Sequence, residues 1–90
     1  MLFHVRWPDG STEACYSPSL VVAEHLEVGE SYPVAEFVER TRTALTIGSD
    51  RVQARYGFPC SNARGQLASI ESTAARLGPA GEVLVERFQS

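Results

Sequence analysis

Two cysteines and two histidines are the side chains of this 90-residue chain best suited to nucleophilic or metal chemistry. Cys15 stands in Glu13-Ala14-Cys15-Tyr16-Ser17-Pro18-Ser19, and Cys60 in Tyr56-Gly57-Phe58-Pro59-Cys60-Ser61. Each falls at the edge of a predicted element with a hydroxyl residue close by. An imidazole directly across a strand pair comes within about 5.5 Å at the β-carbon. His4 opposite Cys15 would therefore favour the thiolate and make a nucleophile. Cys60 ahead of a helix would gain the same help from the positive helix end. For His4–Cys15 an exposed polar pair with no task is the preferred reading. For Cys60, packing beside Phe58 serves at least as well, because free cysteine is among the most buried residue types. A Cys15–Cys60 bond would close a loop of 45 positions (60 − 15), which a reducing cytosol disfavours. Cys15, Cys60, His4 and His25 are ligand types that suit zinc, but no two are close in sequence. No metal site and no cofactor is expected.

These residues need elements to position them. Phe3, Val5 and Trp7 alternate with His4 and Arg6, the period of a strand. Pro8-Asp9-Gly10-Ser11 is a turn, and Thr12 to Tyr16 returns as a second strand. Read as a four-residue loop, it sets Trp7 against Thr12, Val5 against Ala14 and Phe3 against Tyr16. The other face then carries the pairs Arg6–Glu13 and His4–Cys15. A loop shorter by one residue would place Glu13 among Phe3, Val5 and Trp7, and a buried carboxylate argues against it.

Ser17-Pro18 reads as the cap and first position of a short helix through Leu26 that could bury Leu20, Val21 and Val22, ended by Val28-Gly29-Glu30. Ser31-Tyr32-Pro33 opens a helix in which Val34, Phe37, Val38, Thr41 and Leu45 recur at helical spacing. Gly48 is its expected stop, followed by a short helix from Arg51 to Tyr56. A longer helix after Cys60-Ser61 carries the seam Ala63, Leu67, Ile70, Ala74 and Leu77 and ends at Gly78-Pro79. Glu82 to Phe88 is a final strand, with Val83 and Val85 on one face and Leu84, Glu86 and Phe88 on the other. The expected fold is α+β, one domain over residues 1–90. Its N-terminal hairpin and C-terminal strand form a three-stranded antiparallel sheet packed against three to four helices.

Bulk properties narrow the function. Hydrophobic residues make up 43% and charged residues 21%, ordinary for a globular protein. No apolar run approaches the ~18 residues of a membrane span. No secretory leader is recognisable, so a cytoplasmic location and no membrane partner are expected. Net charge is −3, against a nucleic-acid partner, which calls for a concentrated basic surface. All the basic residues are arginine, and Arg51 and Arg55 stand one turn apart near a helix–turn–helix-like stretch from Leu45 to Val52.

Several stretches resemble the small bacterial nitrogen-starvation response proteins. They are Val5-Arg6-Trp7-Pro8-Asp9-Gly10, Cys15-Tyr16-Ser17-Pro18-Ser19, Tyr32-Pro33 with Phe37-Val38, Arg51-Val52, Tyr56-Gly57-Phe58 with Cys60-Ser61, Gln66-Leu67 and Ile70. The resemblance runs from Val5 to about Ile70. It implies an accessory protein of a nitrogen-linked specialised pathway, encoded beside a nitrilase-type amidohydrolase, a radical-SAM protein, an acetyltransferase and a flavoprotein. It supplies no catalytic residue.

Three functions follow in order. The first is a non-enzymatic accessory protein that binds a neighbouring pathway enzyme through His4, Arg6, Glu13 and Cys15, or pairs with its own copy through an open strand edge. The second is a small enzyme or redox carrier using Cys15, Cys60 or His4. The third is a DNA-binding regulator built on the helical middle.

Overall fold

The computed structural model describes residues 1–18, 20–57 and 61–89. The alternation of Phe3, Val5 and Trp7 produces β1 (Leu2–Arg6), which pairs antiparallel with β2 (Thr12–Tyr16). A four-residue helix α1 (Val22–His25) follows, then a short β3 (Ser31–Pro33). Two long helices, α2 (Val34–Tyr56) and α3 (Ser61–Leu77), precede β4 (Glu82–Gln89). The fold is α+β as expected, but the antiparallel sheet has four strands, in the order β2-β1-β4-β3. Tyr32 of β3 stands opposite Val83, and the chain just before β3 extends the pairing: Gly29 N–H donates to Val85 O at 2.8 Å, and Val85 N–H to Glu30 O at 3.0 Å. Ser31-Tyr32-Pro33 is therefore itself a strand, and it leads straight into the expected helix at Val34. Pro33 then serves as the boundary residue, at φ −51° and ψ 146°.

The hairpin register also differs from the one expected. Trp7 N–H donates to Ser11 O at 2.8 Å and Gly10 N–H to Trp7 O at 2.9 Å, so only Pro8, Asp9 and Gly10 form the loop. Gly10 takes φ +89°, the left-handed conformation a three-residue hairpin loop requires. The Asp9 carboxylate accepts from Ser11 N–H at 3.0 Å and from Ser11 Oγ at 2.6 Å, which fixes the turn. These bonds hold the Asp9 pKa below the usual carboxylate value, the side-chain bond most strongly. Shortening the loop by one residue turns all of β2 over. Phe3 now faces Cys15, His4 faces Ala14, and Val5 faces Glu13.

Helices cover one face of the sheet. Phe3, Val5, Cys15, Tyr32, Val83 and Val85 are buried there against Val34, Phe37, Leu45 and Ile70. Trp7 meets Phe37 edge-to-face, with ring centroids 5.4 Å apart. Side chains of this size each gain about 1.5–3 kcal/mol on full burial, so the sandwiched layer dominates stability. Opposite β1, β4 carries a bulge: Val5 faces Val85 but His4 faces Arg87, leaving Glu86 as the extra residue. The bulge swings Phe88 opposite Phe3, where it packs against the core. Simple alternation had put Phe88 on the opposite face from Val83 and Val85.

The helices differ from expectation at two points. Leu20 is exposed while Val21, Val22 and Leu26 are buried, and α1 starts only at Val22. Ser17 does not cap it, because Ser17 N–H still pairs in strand fashion with Met1 O at 2.9 Å. Helix α2 runs straight through Gly48 to Tyr56, and Gly57 ends it at φ +85°. Its buried stripe, Val34, Phe37, Thr41, Ala44, Leu45, Gly48 and Ser49, continues past the glycine. Burial of that stripe outweighs the roughly 1 kcal/mol that an interior glycine costs relative to alanine. The Ala63–Leu77 seam of α3 and its stop at Gly78, φ +80°, are as expected.

Candidate functional site

The hairpin register divides the residues expected to act together. Cys15 and Glu13 lie on the helix-covered side of β2, His4 and Arg6 on the bare side of β1. Cys15 is 0% exposed. Burial, then the charge of Glu13 and hydrogen bonding to it, push its thiol pKa far above the ordinary value. The thiol is thus held protonated and out of reach, the opposite of what a nucleophile requires. His4 cannot activate it, since its Nε2 lies 2.9 Å from Gln89 Oε1 across the outer face. Arg6 pairs with Glu86 at 3.2 Å rather than with Glu13. The expected role of Cys60, and any Cys15–Cys60 pair, lie outside the described residues.

On the covered side, Glu13 anchors a polar network that ties the sheet to α3. Trp7 Nε1–H donates to Glu13 Oε1 at 3.0 Å, and Gln66 Nε2–H donates to Glu13 Oε2 at 3.0 Å. Gln66 Oε1 accepts from Tyr16 N–H at 3.0 Å. The half-buried carboxylate that argued against this register is therefore satisfied by two donors. One signal for it stands in the sequence. Gln66 occupies position i+3 between Ala63, Leu67 and Ile70, a polar residue on an otherwise apolar seam.

The network also governs the outer edge of the sheet. Trp7–Ser11 and Met1–Ser17 are hydrogen-bonded pairs of the hairpin, so the even-numbered residues of β2 turn their amides away from β1. Gln66 takes the Tyr16 amide. Thr12 and Ala14, both exposed, leave the edge open over a short length.

The bare face carries a different pattern. His4–Gln89 and Arg6–Glu86 cross between β1 and β4, Arg87 stands opposite His4, and Leu84 stands opposite Arg6. Among the described residues, no three of His, Cys, Asp and Glu gather closely enough to hold a metal ion. His4 and Cys15 are on opposite faces of the sheet. The helix–turn–helix-like stretch has no turn, because Gly48 is inside α2. Among the described residues no helix is long and apolar enough to cross a membrane.

Fold and site together define a small α+β protein with a one-sided four-stranded antiparallel sheet backed by a helical hairpin. A family model described as "Nitrogen starvation-induced protein NitG" matches residues 2–88, and the chain belongs to that family. No curated protein and no solved structure matches it.

Proposed function

We propose that this protein acts as a non-enzymatic accessory protein of a nitrogen-starvation-linked biosynthetic pathway and binds a neighbouring, nitrilase-type pathway enzyme in the cytoplasm. The observation that carries the reading is the helix-free sheet face. It presents His4, Arg6, Glu86, Arg87 and Gln89 on rigid central strands beside the open Thr12–Ala14 edge. A face of cross-paired charges at a sheet edge suits a protein partner that adds a strand and meets those charges. Cys15 and Glu13, first grouped with this surface, serve the core instead. Burial of the Cys15 thiol speaks against the alternative of a Cys15-dependent enzyme or redox carrier.

A second copy is the other occupant this edge admits. Two-fold pairing through Thr12 and Ala14 would centre on Glu13 and bring two carboxylates side by side, which opposes a homodimer. The test is pairwise co-purification of the tagged protein with each enzyme encoded beside it. Capture of one, lost in an R6E/R87E variant that keeps its thermal midpoint, is the expected result. Failure of every pair, or capture indifferent to that variant, overturns the reading. Light scattering on the purified chain separates monomer from homodimer.

A further inference from the structure

We propose that the C-terminal half of α2 carries a binding site for a small oxyanion, a carboxylate or phosphate group on a compact molecule. The site is a cavity of about 240 Å³ lined by Pro18, Gly48, Arg51, Val52, Arg55 and Tyr56. That volume is below the roughly 300 Å³ at which drug-sized clefts begin, so its occupant is small.

The arginines carry the argument. Arg6, Arg40 and Arg42 each stand within 4 Å of a glutamate. Arg51 and Arg55, like Arg64, Arg76 and Arg87, have no ion-pair partner among the described residues; what sets these two apart is that they line one cavity together. They sit at i and i+4 on one helix face, where like charges repel. The negative C-terminal end of α2 accounts for a cation in its last turn, which holds Arg55. It does not account for Arg51, which lies before that turn. An anion between the two guanidiniums removes the repulsion, and the planar guanidinium fork matches the geometry of a carboxylate or phosphate.

The remaining walls fit the same occupant. Gly48, at the edge of the buried α2 stripe, also lines the cavity. Val52 and Pro18 offer apolar surface to the body of the ligand. Arg55 lies over the Tyr56 ring, 5.4 Å from its centroid, which holds the guanidinium at the rim. Neither nucleic acid nor a flat protein surface makes use of a recess of this size, whereas a small acid fills it. This inference is independent of the accessory role.

The test is an NMR titration of the full ¹⁵N-labelled chain with benzoate and, separately, inorganic phosphate, with sodium chloride at matched ionic strength as the reference. Saturable shifts at the Gly48, Val52 and Tyr56 amides with either anion are expected. Benzoate alone identifies a carboxylate site and phosphate alone a phosphate site. R51Q/R55Q should weaken binding at least tenfold, and R76Q on α3 should leave it unchanged. Should the double variant not fold, R51Q and R55Q singly carry the test, each weakening binding at least threefold. Shifts that match those of chloride, fail to saturate, or persist unweakened in the arginine variants overturn the proposal.

Discussion

Cys15 illustrates how placement overrides residue type. Thiols ionise near pH 8.5 in an open chain, and this one is kept neutral by burial and by the Glu13 carboxylate. In a C60S background, Cys15 should therefore label with a thiol reagent only as fast as the chain unfolds. Labelling at the rate of a free cysteine peptide would contradict the structure. The same placement sets a pH dependence. The native thiol pKa is raised above the unfolded one, so above about pH 8.5 the unfolded chain loses a proton that the native state retains. Its contribution is intact below that pH and declines as pH rises toward the native thiol's own ionisation, by up to about 1.4 kcal/mol per pH unit. Urea unfolding from pH 7.5 to 10 should show this decline with C60S and a shallower one with C15A/C60S. Equal slopes would mean that the thiol is not buried. A second residue-level test concerns Gly81. It adopts φ +87°, and a β-carbon there would come within 2.7 Å of Pro8 Cβ. Gly81→Ala thus meets both backbone strain and a clash with the hairpin loop. It should destabilise by about 1–3 kcal/mol, read as a lower urea midpoint at unchanged slope.

At the scale of elements, the junction between β2 and α3 rests on Gln66. Its amide holds the Glu13 carboxylate with one end and the Tyr16 N–H with the other. Gln66→Ala leaves the Tyr16 N–H and Glu13 Oε2 without these partners, while Trp7 still donates to Glu13 Oε1. A buried group left without a partner costs about 1–3 kcal/mol. Urea unfolding should show a loss in that range, and hydrogen exchange should quicken at the Tyr16 amide. Asn62→Ala, on the exposed side of the same helix, should stay within about 0.5 kcal/mol. The network also explains what the sequence hides. Strand and helix types at Leu2–Arg6, Thr12–Tyr16, the α3 seam and Glu82–Gln89 follow from apolar periodicity, which a single chain displays directly. Register does not follow, because it turns on whether the loop after Trp7 holds three residues or four. The rejected register becomes acceptable through two donors to Glu13, Trp7 and Gln66, the second of them 53 positions away. Likewise the bulge at Glu86 is set by pairing with β1, and helix α2 passes Gly48 because the stripe on either side is buried. Each departure is a tertiary contact overriding a local signal. The proposed His4–Cys15 site depended on that register, so it parted with it.

The whole molecule is closed by its ends. β1 and β4 are the two central strands of the sheet, and Phe3–Phe88 and Val5–Val85 join residues about as far apart as the chain allows. Without β4, β1 would keep only the hairpin partner β2, and β3 would have no strand to pair with. Val83 and Val85, both fully buried, would leave Phe37 and the rest of the α2 stripe facing water. A two-stranded hairpin is marginal alone, and long-range closure is the slow and costly step in forming such a sheet. The chain cut after Pro79 should therefore show no cooperative thermal transition. It should also lose the near-ultraviolet signal of Trp7, whose ring is fixed against Phe37 in the intact fold. Adding a synthetic peptide of residues 80–90 in excess should restore that signal, since the missing strand supplies both its hydrogen bonds and its valines. A truncated chain that melts cooperatively with Trp7 still ordered would show that the hairpin and the helices form a core without the central strand.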